Sequence, residues 1–237
     1  AKKKTEAPAP PAPIPTWTPL PFNGLRCHCG ERHHQNARYY VNTAQDNWAD
    51  DDFFQSGERT VQEEILTDMI NICQGKDPKE MKVLEIGCGA GRVTRALADL
   101  CGEVHAVDVS PEMVRLASQA LADKPNAHVY CNNGKDLSVV PPNQFDFAFS
   151  TIVFQHIPCK TIIENYIGEA QRLLRPGALF KFQVQGDSTL VTDPNDTWLG
   201  AAFSDDEVVA MANRCGFEPR YRHGAGQQYF WLWYFKR

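Results

Sequence analysis

No stretch of this 237-residue chain approaches the ~20 consecutive apolar residues that cross a bilayer, and no segment reads as a secretory signal. A soluble, cytoplasmic location without membrane contact is therefore expected. No internal repeat is evident either. An excess of positive charge is missing: 24 Lys and Arg stand against 29 Asp and Glu, for a net charge of −5, which argues against a broad nucleic-acid face. The basic groups are local, at Lys2 to Lys4 and at Arg220, Arg222, Lys236 and Arg237. The eight cysteines (27, 29, 73, 88, 101, 131, 159 and 215) are scattered over segments of every kind and form no disulfide framework, so reduced thiols are expected. Metal-ligand spacing is absent as well. Cys27-His28-Cys29-x-x-x-His33-His34 carries ligating groups but matches neither C-x₂₋₄-C nor H-x₃₋₅-H, and no metal is expected. With 43% hydrophobic and 22% charged residues, the chain has the make-up of a globular protein able to bury one substantial core.

What is present is concentrated between residues 82 and 110. Val83, Leu84 and Ile86 form a short apolar run that ends in glycines at alternate positions, Gly87, Gly89 and Gly91, as a buried parallel strand turning sharply into a helix requires. A second short strand, 103 to 107, ends on Asp108, which lies 108 − 91 = 17 residues past the last glycine. Strand, glycine turn, helix, strand and acid make a βαβ nucleotide site in which the carboxylate accepts from ribose hydroxyls. The spacing is not that of a dinucleotide fingerprint, because Arg92 stands where G-x-G-x-x-G needs its third glycine. Glu85 at the end of the first strand would repel a pyrophosphate and suits a ligand bearing an ammonium group.

Glu85-x-Gly87-x-Gly89-x-Gly91 resembles motif I of the class I S-adenosylmethionine-dependent methyltransferases, and the resemblance continues for about 155 residues. Asp108-Val109-Ser110-Pro111-Glu112-Met113 is similar to the family's second-strand acid and following helix start. Asn132-Asn133-Gly134-Lys135-Asp136-Leu137 resembles its adenine-side loop. Phe145 to Ser150, followed by Thr151 and later His156, resembles its fourth strand and turn, and Arg172-Leu-Leu-Arg-Pro-Gly177 leads into a fifth strand over 178 to 185. The resemblance implies an α/β, Rossmann-like, doubly wound sheet of seven strands, mostly parallel, with an antiparallel strand near the C-terminus. It also implies S-adenosylmethionine as cofactor. Glu85, Gly87, Cys88, Gly89 and Gly91 would then surround the methionine and ribose, Asp108 would accept from the ribose hydroxyls, and Val109, Met113, Asn132, Asn133 and Gly134 would border the adenine. Ser150 and Thr151 would close the fourth-strand side. Many relatives carry Asp where this chain has Asn133, which keeps the carbonyl acceptor and loses the charge.

His156 is the candidate catalytic residue, a general base for a hydroxyl or ammonium proton near pH 7; its alternative is to tie down the loop backbone. Pro158-Cys159 lies too far beyond the fourth strand to serve as the nucleophile of carbon-5 pyrimidine methylation, and Ser150-Thr-Ile-Val is not the turn of the amino-methylating DNA enzymes. Only Asp187 is available for a magnesium-dependent catechol-type site, so catalytic metal is not expected. The expected acceptor is an O or N atom of a small or medium-sized molecule. A protein or RNA substrate, or a non-catalytic cofactor-binding role, are the alternatives.

Three segments follow. Residues 1 to 21 hold seven of the sixteen prolines after a Lys run and read as a flexible tail, with Pro8 to Pro13 able to dock on a protein partner. Residues 22 to 80 read as an approach or lid segment containing Tyr39, Tyr40, Trp48, Phe53 and Phe54, then a helix over about 58 to 74 with Val61, Ile65, Met69 and Ile72 on one face, closed by Gly75. Residues 81 to 237 form the cofactor-binding domain. Within it Ser110-Pro111 opens a helix with Met113, Leu116, Ala120 and Leu121 inward, Ser204-x-x-Glu207 is a capping box for a helix stopping at Gly216, and strands over 217 to 223 and 229 to 236 flank Gly224-Ala-Gly226.

Overall fold

The computed structural model of the chain describes residues 49–142, 144–190 and 200–237. The Pro-rich tail, Tyr39, Tyr40, Trp48 and the Cys27 to His34 cluster lie outside the described residues. The core is a seven-stranded sheet in the order β3-β2-β1-β4-β5-β7-β6. Its strands are β1 (Lys82–Ile86), β2 (Glu103–Asp108), β3 (Ala127–Cys131), β4 (Phe145–Ser150), β5 (Leu174–Val184), β6 (Phe217–His223) and β7 (Phe230–Lys236). The helices are α1 (Asp50–Glu64), α2 (Met69–Cys73), α3 (Arg92–Leu100), α4 (Pro111–Ala120), α5 (Lys160–Leu173) and α6 (Asp205–Arg214). Among the described strands β7 alone runs antiparallel, inserted between β5 and β6. This is the expected fold class.

The inner strands β1, β4 and β5 are buried on both faces over most of their length because both faces are covered. Val83, Val104, Phe147 and Leu179 pack on one side with Val61, Ile65, Ile72, Val93 and Leu97 from α1, α2 and α3. Leu84, Val107, Ala148, Phe180 and Phe182 pack on the other with Ile163, Ile167, Val208 and Met211 from α5 and α6. Sequence order reverses between β1 and β4, and a crevice at such a switch point is where an open α/β sheet binds its ligand.

Local signals account for the starts of α4 and α6. Ser110 Oγ accepts from the Met113 N–H with Pro111 in the first helical position, and Ser204 and Glu207 form both arms of a capping box. The buried stripe of α4 runs Met113, Ala117, Leu121, so Ala117 and not Ala120 faces inward. The expected single helix over 58 to 74 is divided. It begins at Asp50, ends at Glu64, and passes through a 3₁₀ turn at Leu66–Asp68 before α2. The break is held by tertiary bonds that periodicity does not report. Asp68 accepts from Trp233 Nε1 at 2.5 Å and from Asn71 Nδ2 at 2.6 Å, while the Lys181 ammonium donates to the Glu64 carbonyl at 2.6 Å. The C-cap residue in the left-handed conformation is Gln74, with Gly75 following it at φ +90°.

One glycine decides how α1 meets the domain. A Cβ at Gly57 would lie 2.0 Å from the Arg92 carbonyl oxygen, so α1 rests directly on the first turn of α3. Replacing a helix-interior glycine with alanine ordinarily favours folding by ~1 kcal/mol. Here the obstacle is backbone, and overpacking of this kind costs ~1–3 kcal/mol or more. Gly57→Ala is expected to lower the unfolding free energy measured in urea; an unchanged or raised value would show that the contact yields freely.

Candidate active site

The C-terminal ends of β1, β2 and β4 bring together most of the residues singled out above. Beyond Ile86 the chain turns so tightly that the amides of Gly87 and Cys88 both donate to the Val107 carbonyl, at 2.8 and 3.0 Å. Gly87 has φ +79°, and a Cβ there would stand 2.2 Å from a Val153 methyl, so glycine is required both by conformation and by the β4 exit loop lying against it. The Asp108 carboxylate is fixed by two amides: Gly89 N–H donates to Oδ2 and Ser110 N–H to Oδ1, each at 2.9 Å. Val109, 40% exposed, lies beside Gly134, whose added Cβ would come 3.1 Å from the valine methyl.

The loop after β3 is braced from within. Asn132 is buried and its side chain donates to the Tyr166 hydroxyl at 2.8 Å, while the Asn133 side-chain Oδ1 accepts from the Lys135 and Asp136 amides at 2.8 and 3.0 Å. On the β4 side the Ser150 hydroxyl donates to the Ile86 carbonyl at 2.9 Å, tying the two strand ends together, and half-buried Thr151 follows. Ile152 has φ +57°, a rare conformation for a β-branched residue and a source of strain of ~1–3 kcal/mol. His156 closes a 3₁₀ turn, Phe154–His156, with its amide donating to the Val153 carbonyl at 2.9 Å and its Nε2 3.3 Å from Gln155 Nε2. Gln155 is itself buried and takes a hydrogen bond from Gln183 on β5.

Beneath the glycine turn lie two ionisable side chains, Glu85 and Arg92, whose burial sequence spacing did not reveal. Glu85 is 3% exposed and accepts from the Thr94 hydroxyl at 2.6 Å, and Arg92 is 5% exposed and donates to the Ser56 carbonyl at 3.1 Å and the Thr60 hydroxyl at 2.8 Å. Phe53, fully buried, packs with Ala90 and Met113 directly against the turn. Burial lifts the Glu85 carboxyl from 4.5 to about 7, with the Thr94 hydrogen bond and the Arg92 charge opposing that rise and Asp108 adding to it. Burial likewise pushes the Cys88 thiol well above its ordinary value, which leaves it a packing group and not a nucleophile.

The cradle suits a cationic nucleoside. It offers a glycine turn that a Cβ would fill, a carboxylate prepared for a ribose diol, and a second carboxyl whose ionised form a nearby ammonium would favour. Residues 83–177 match a family model described as a methyltransferase domain. A ubiquinone biosynthesis O-methyltransferase from Xanthomonas euvesicatoria pv. vesicatoria is 31% identical over 97 residues, 40% of this chain and 39% of that enzyme. The chain thus spans about two fifths of the length of the curated relatives it matches. In fold it is similar to a SAM-dependent methyltransferase structure from Methanosarcina mazei, with TM-score 0.54 and 22% identity over 67% of this chain and 93% of the other. It is also similar to the CcbJ methyltransferase from Streptomyces caelestis, with TM-score 0.57 and 22% identity over 72% and 95%.

The Glu85 carboxyl has a measurable consequence. An unfolded chain releases this proton near 4.5, whereas the folded chain keeps it to about 7, so between those values the folded state binds more protons and stability falls as pH rises. The loss is on the order of 3 kcal/mol across the window. Glu85→Gln is expected to remove that component, so that urea denaturation at pH 5 and pH 8 shows a smaller decline in the variant. Equal declines in both proteins would mean that Glu85 ionises normally. Glycine turn, braced acid and buried Glu85 all lie within the one region, residues 83–177, that matches the methyltransferase-domain model, and the fold around them is similar to that of S-adenosylmethionine-dependent methyltransferases.

Proposed function

We propose that the protein transfers a methyl group from S-adenosylmethionine to an O or N atom of a small or medium-sized molecule, with oxygen favoured. The observation that carries this reading is the Asp108 carboxylate, held by the Gly89 and Ser110 amides at the C-terminal end of β2. The preference for oxygen and for a small acceptor rests on the O-methyltransferase relatives, 31% identical over 97 residues. The C-terminal basic groups support it too. Arg222 is engaged by Asp205 at 2.7 Å, Arg220 by Glu218 at 2.9 Å and Arg237 by Asn213 at 2.5 Å, so the arginines that a nucleic acid would need already serve the fold.

Bound S-adenosylmethionine supplies a sulfonium methyl that is already strongly electrophilic. Glu85, Gly87, Cys88, Gly89 and Gly91 would hold its methionine and ribose, Asp108 the ribose hydroxyls, and Val109, Met113, Asn132, Asn133 and Gly134 the adenine, with Ser150 and Thr151 along the β4 wall. The chain's main task is then alignment of the acceptor, an effect worth ~7–11 kcal/mol in favourable cases. His156 has two roles open to it, to take the acceptor's proton or to hold the turn beyond β4 through Gln155 and Gln183. The second is favoured, because the imidazole sits beside an amide chain that fixes the loop.

Two measurements test this. S-adenosylmethionine is expected to raise the melting temperature by binding the native state, and Asp108→Ala to abolish most of the shift. Stabilisation by NADH in place of S-adenosylmethionine would overturn the cofactor assignment, and labelled methyl transfer only to protein or RNA in a cell extract would overturn the acceptor class. For His156→Asn, a positioning role predicts reduced stability or cofactor binding with little change in saturated turnover. A general base predicts a turnover loss of ~10²-fold or more and disappearance of the acidic limb of the pH profile.

A further inference from the structure

A second group of ligating side chains lies far from the cofactor cradle, at the opposite end of β2. Glu103 opens that strand and His105 follows two residues later on the same face, while His128 of the edge strand β3 stands directly opposite His105 in the parallel register. His105 Nε2 is 2.8 Å and His128 Nε2 3.5 Å from Glu103 Oε1, and one ligand atom from each of the three residues falls within 4.8 Å of the others. Zinc bound by imidazole at ~2.0–2.1 Å in a tetrahedral shell sets its ligand atoms about 3.3 Å apart, so the group needs only a small adjustment to enclose an ion. His128, with a side chain 42% exposed, has the freedom to make it.

The surroundings provide the outer support that metal-bound histidines use. The Tyr130 hydroxyl lies 2.9 Å from His105 Nδ1 and can either donate to it or accept from it. With the imidazole proton on Nδ1 and the tyrosine accepting, the Nε2 lone pair is free for a cation, and the ring is held in place by a partner outside the coordination shell. Phe145 packs edge-on against the same ring at 5.1 Å. Glu103 Oε2 is occupied by the Lys82 ammonium at 2.9 Å, which leaves Oε1 as the ligating oxygen and opposes an incoming positive charge. The donor set is two imidazoles and one carboxylate with no sulfur, a borderline set that suits zinc, cobalt, nickel or copper and disfavours calcium or magnesium.

We propose that Glu103, His105 and His128 form a site for a divalent transition metal, zinc by preference, with water completing the shell. It is separate from the methyl-transfer centre, since the five residue steps from Glu103 to Asp108 along an extended strand span about 16 Å. The site joins β2 to the edge strand β3 by side chains as well as by backbone. The inference does not depend on the proposed function.

The test uses the full chain, stripped with a chelator and dialysed. Added zinc is expected to raise its melting temperature, and cobalt to give visible d–d bands without thiolate charge transfer in the near ultraviolet. His128→Ala should weaken zinc binding by calorimetry at least ~10-fold, and Tyr130→Phe by about the same factor, since loss of an outer-shell partner costs ~10- to 100-fold. Lys82→Met should tighten it. Because His128 is partly exposed, the metal-free variant should melt near the wild type and remain interpretable. No zinc-dependent shift, an equal shift in His128→Ala, or a cobalt spectrum with thiolate bands would overturn the assignment, the last two pointing to the cysteines.

Discussion

The buried guanidinium of Arg92 is the constraint on which the site depends. A charge taken out of water is tolerable only when its donors are satisfied and a counter-charge is near, and breaking such an arrangement costs several kcal/mol. Arg92 meets that requirement through α1, by way of Ser56 and Thr60, and through the electrostatic influence of Glu85 at the end of β1. Thr94, two residues on, completes the arrangement by donating to Glu85. Displacing α1 would strand the guanidinium. The glycine turn therefore rests on a helix that precedes the matched family region, and its shape is not a property of the Gly87 to Gly91 segment alone.

This also explains why Arg92 stands where a dinucleotide fingerprint has glycine. That third glycine serves close packing of helix on strand. Here the closeness is supplied from the other side, by Gly57, whose missing side chain lets α1 descend onto the Arg92 carbonyl. The family match covers residues 83–177, whereas Ser56, Gly57, Thr60 and Phe53 lie before it and Lys181, Gln183 and β7 lie after it. The parts outside the matched region thus determine how the glycine turn is buttressed.

The sheet and its cradle were legible in the amino-acid sequence because their signals are local. Apolar strand runs ending in glycine or acid, Ser110 before Pro111, and Ser204 three residues before Glu207 each specify their own neighbourhood. The division of the first helix was not legible. Val61, Ile65, Met69 and Ile72 keep an unbroken helical period, and the break comes from Asp68 and Glu64 bonding to Trp233 and Lys181 more than a hundred residues later. The Glu103, His105 and His128 group was hidden for a related reason. No spacing motif links residues 105 and 128, and only the β2–β3 register sets them side by side. Arg92 was visible as a departure from a glycine pattern, but its burial could not be read without α1. Ile152 gave no local sign at all, since nothing in Ser150-Thr-Ile-Val asks for a positive φ.

The joint between α1 and α2 has a bearing on the order in which the chain can mature. It is completed by Trp233 Nε1 on Asp68 and by Lys181, whose ammonium lies 4.8 Å from the Trp233 ring and 5.3 Å from the Trp231 ring. These partners are 165 and 117 residues away from the atoms they bind. During synthesis from the N-terminus, at ~5–20 residues per second, β1 to β4 emerge while Glu64 and Asp68 still face water. Of the described strands β7 comes latest in sequence, and it is the one that inserts between β5 and β6 and bonds to the joint after the first helix. A nascent chain that already holds the Gly87 to Gly91 loop therefore still lacks the bonds that fix the joint between α1 and α2.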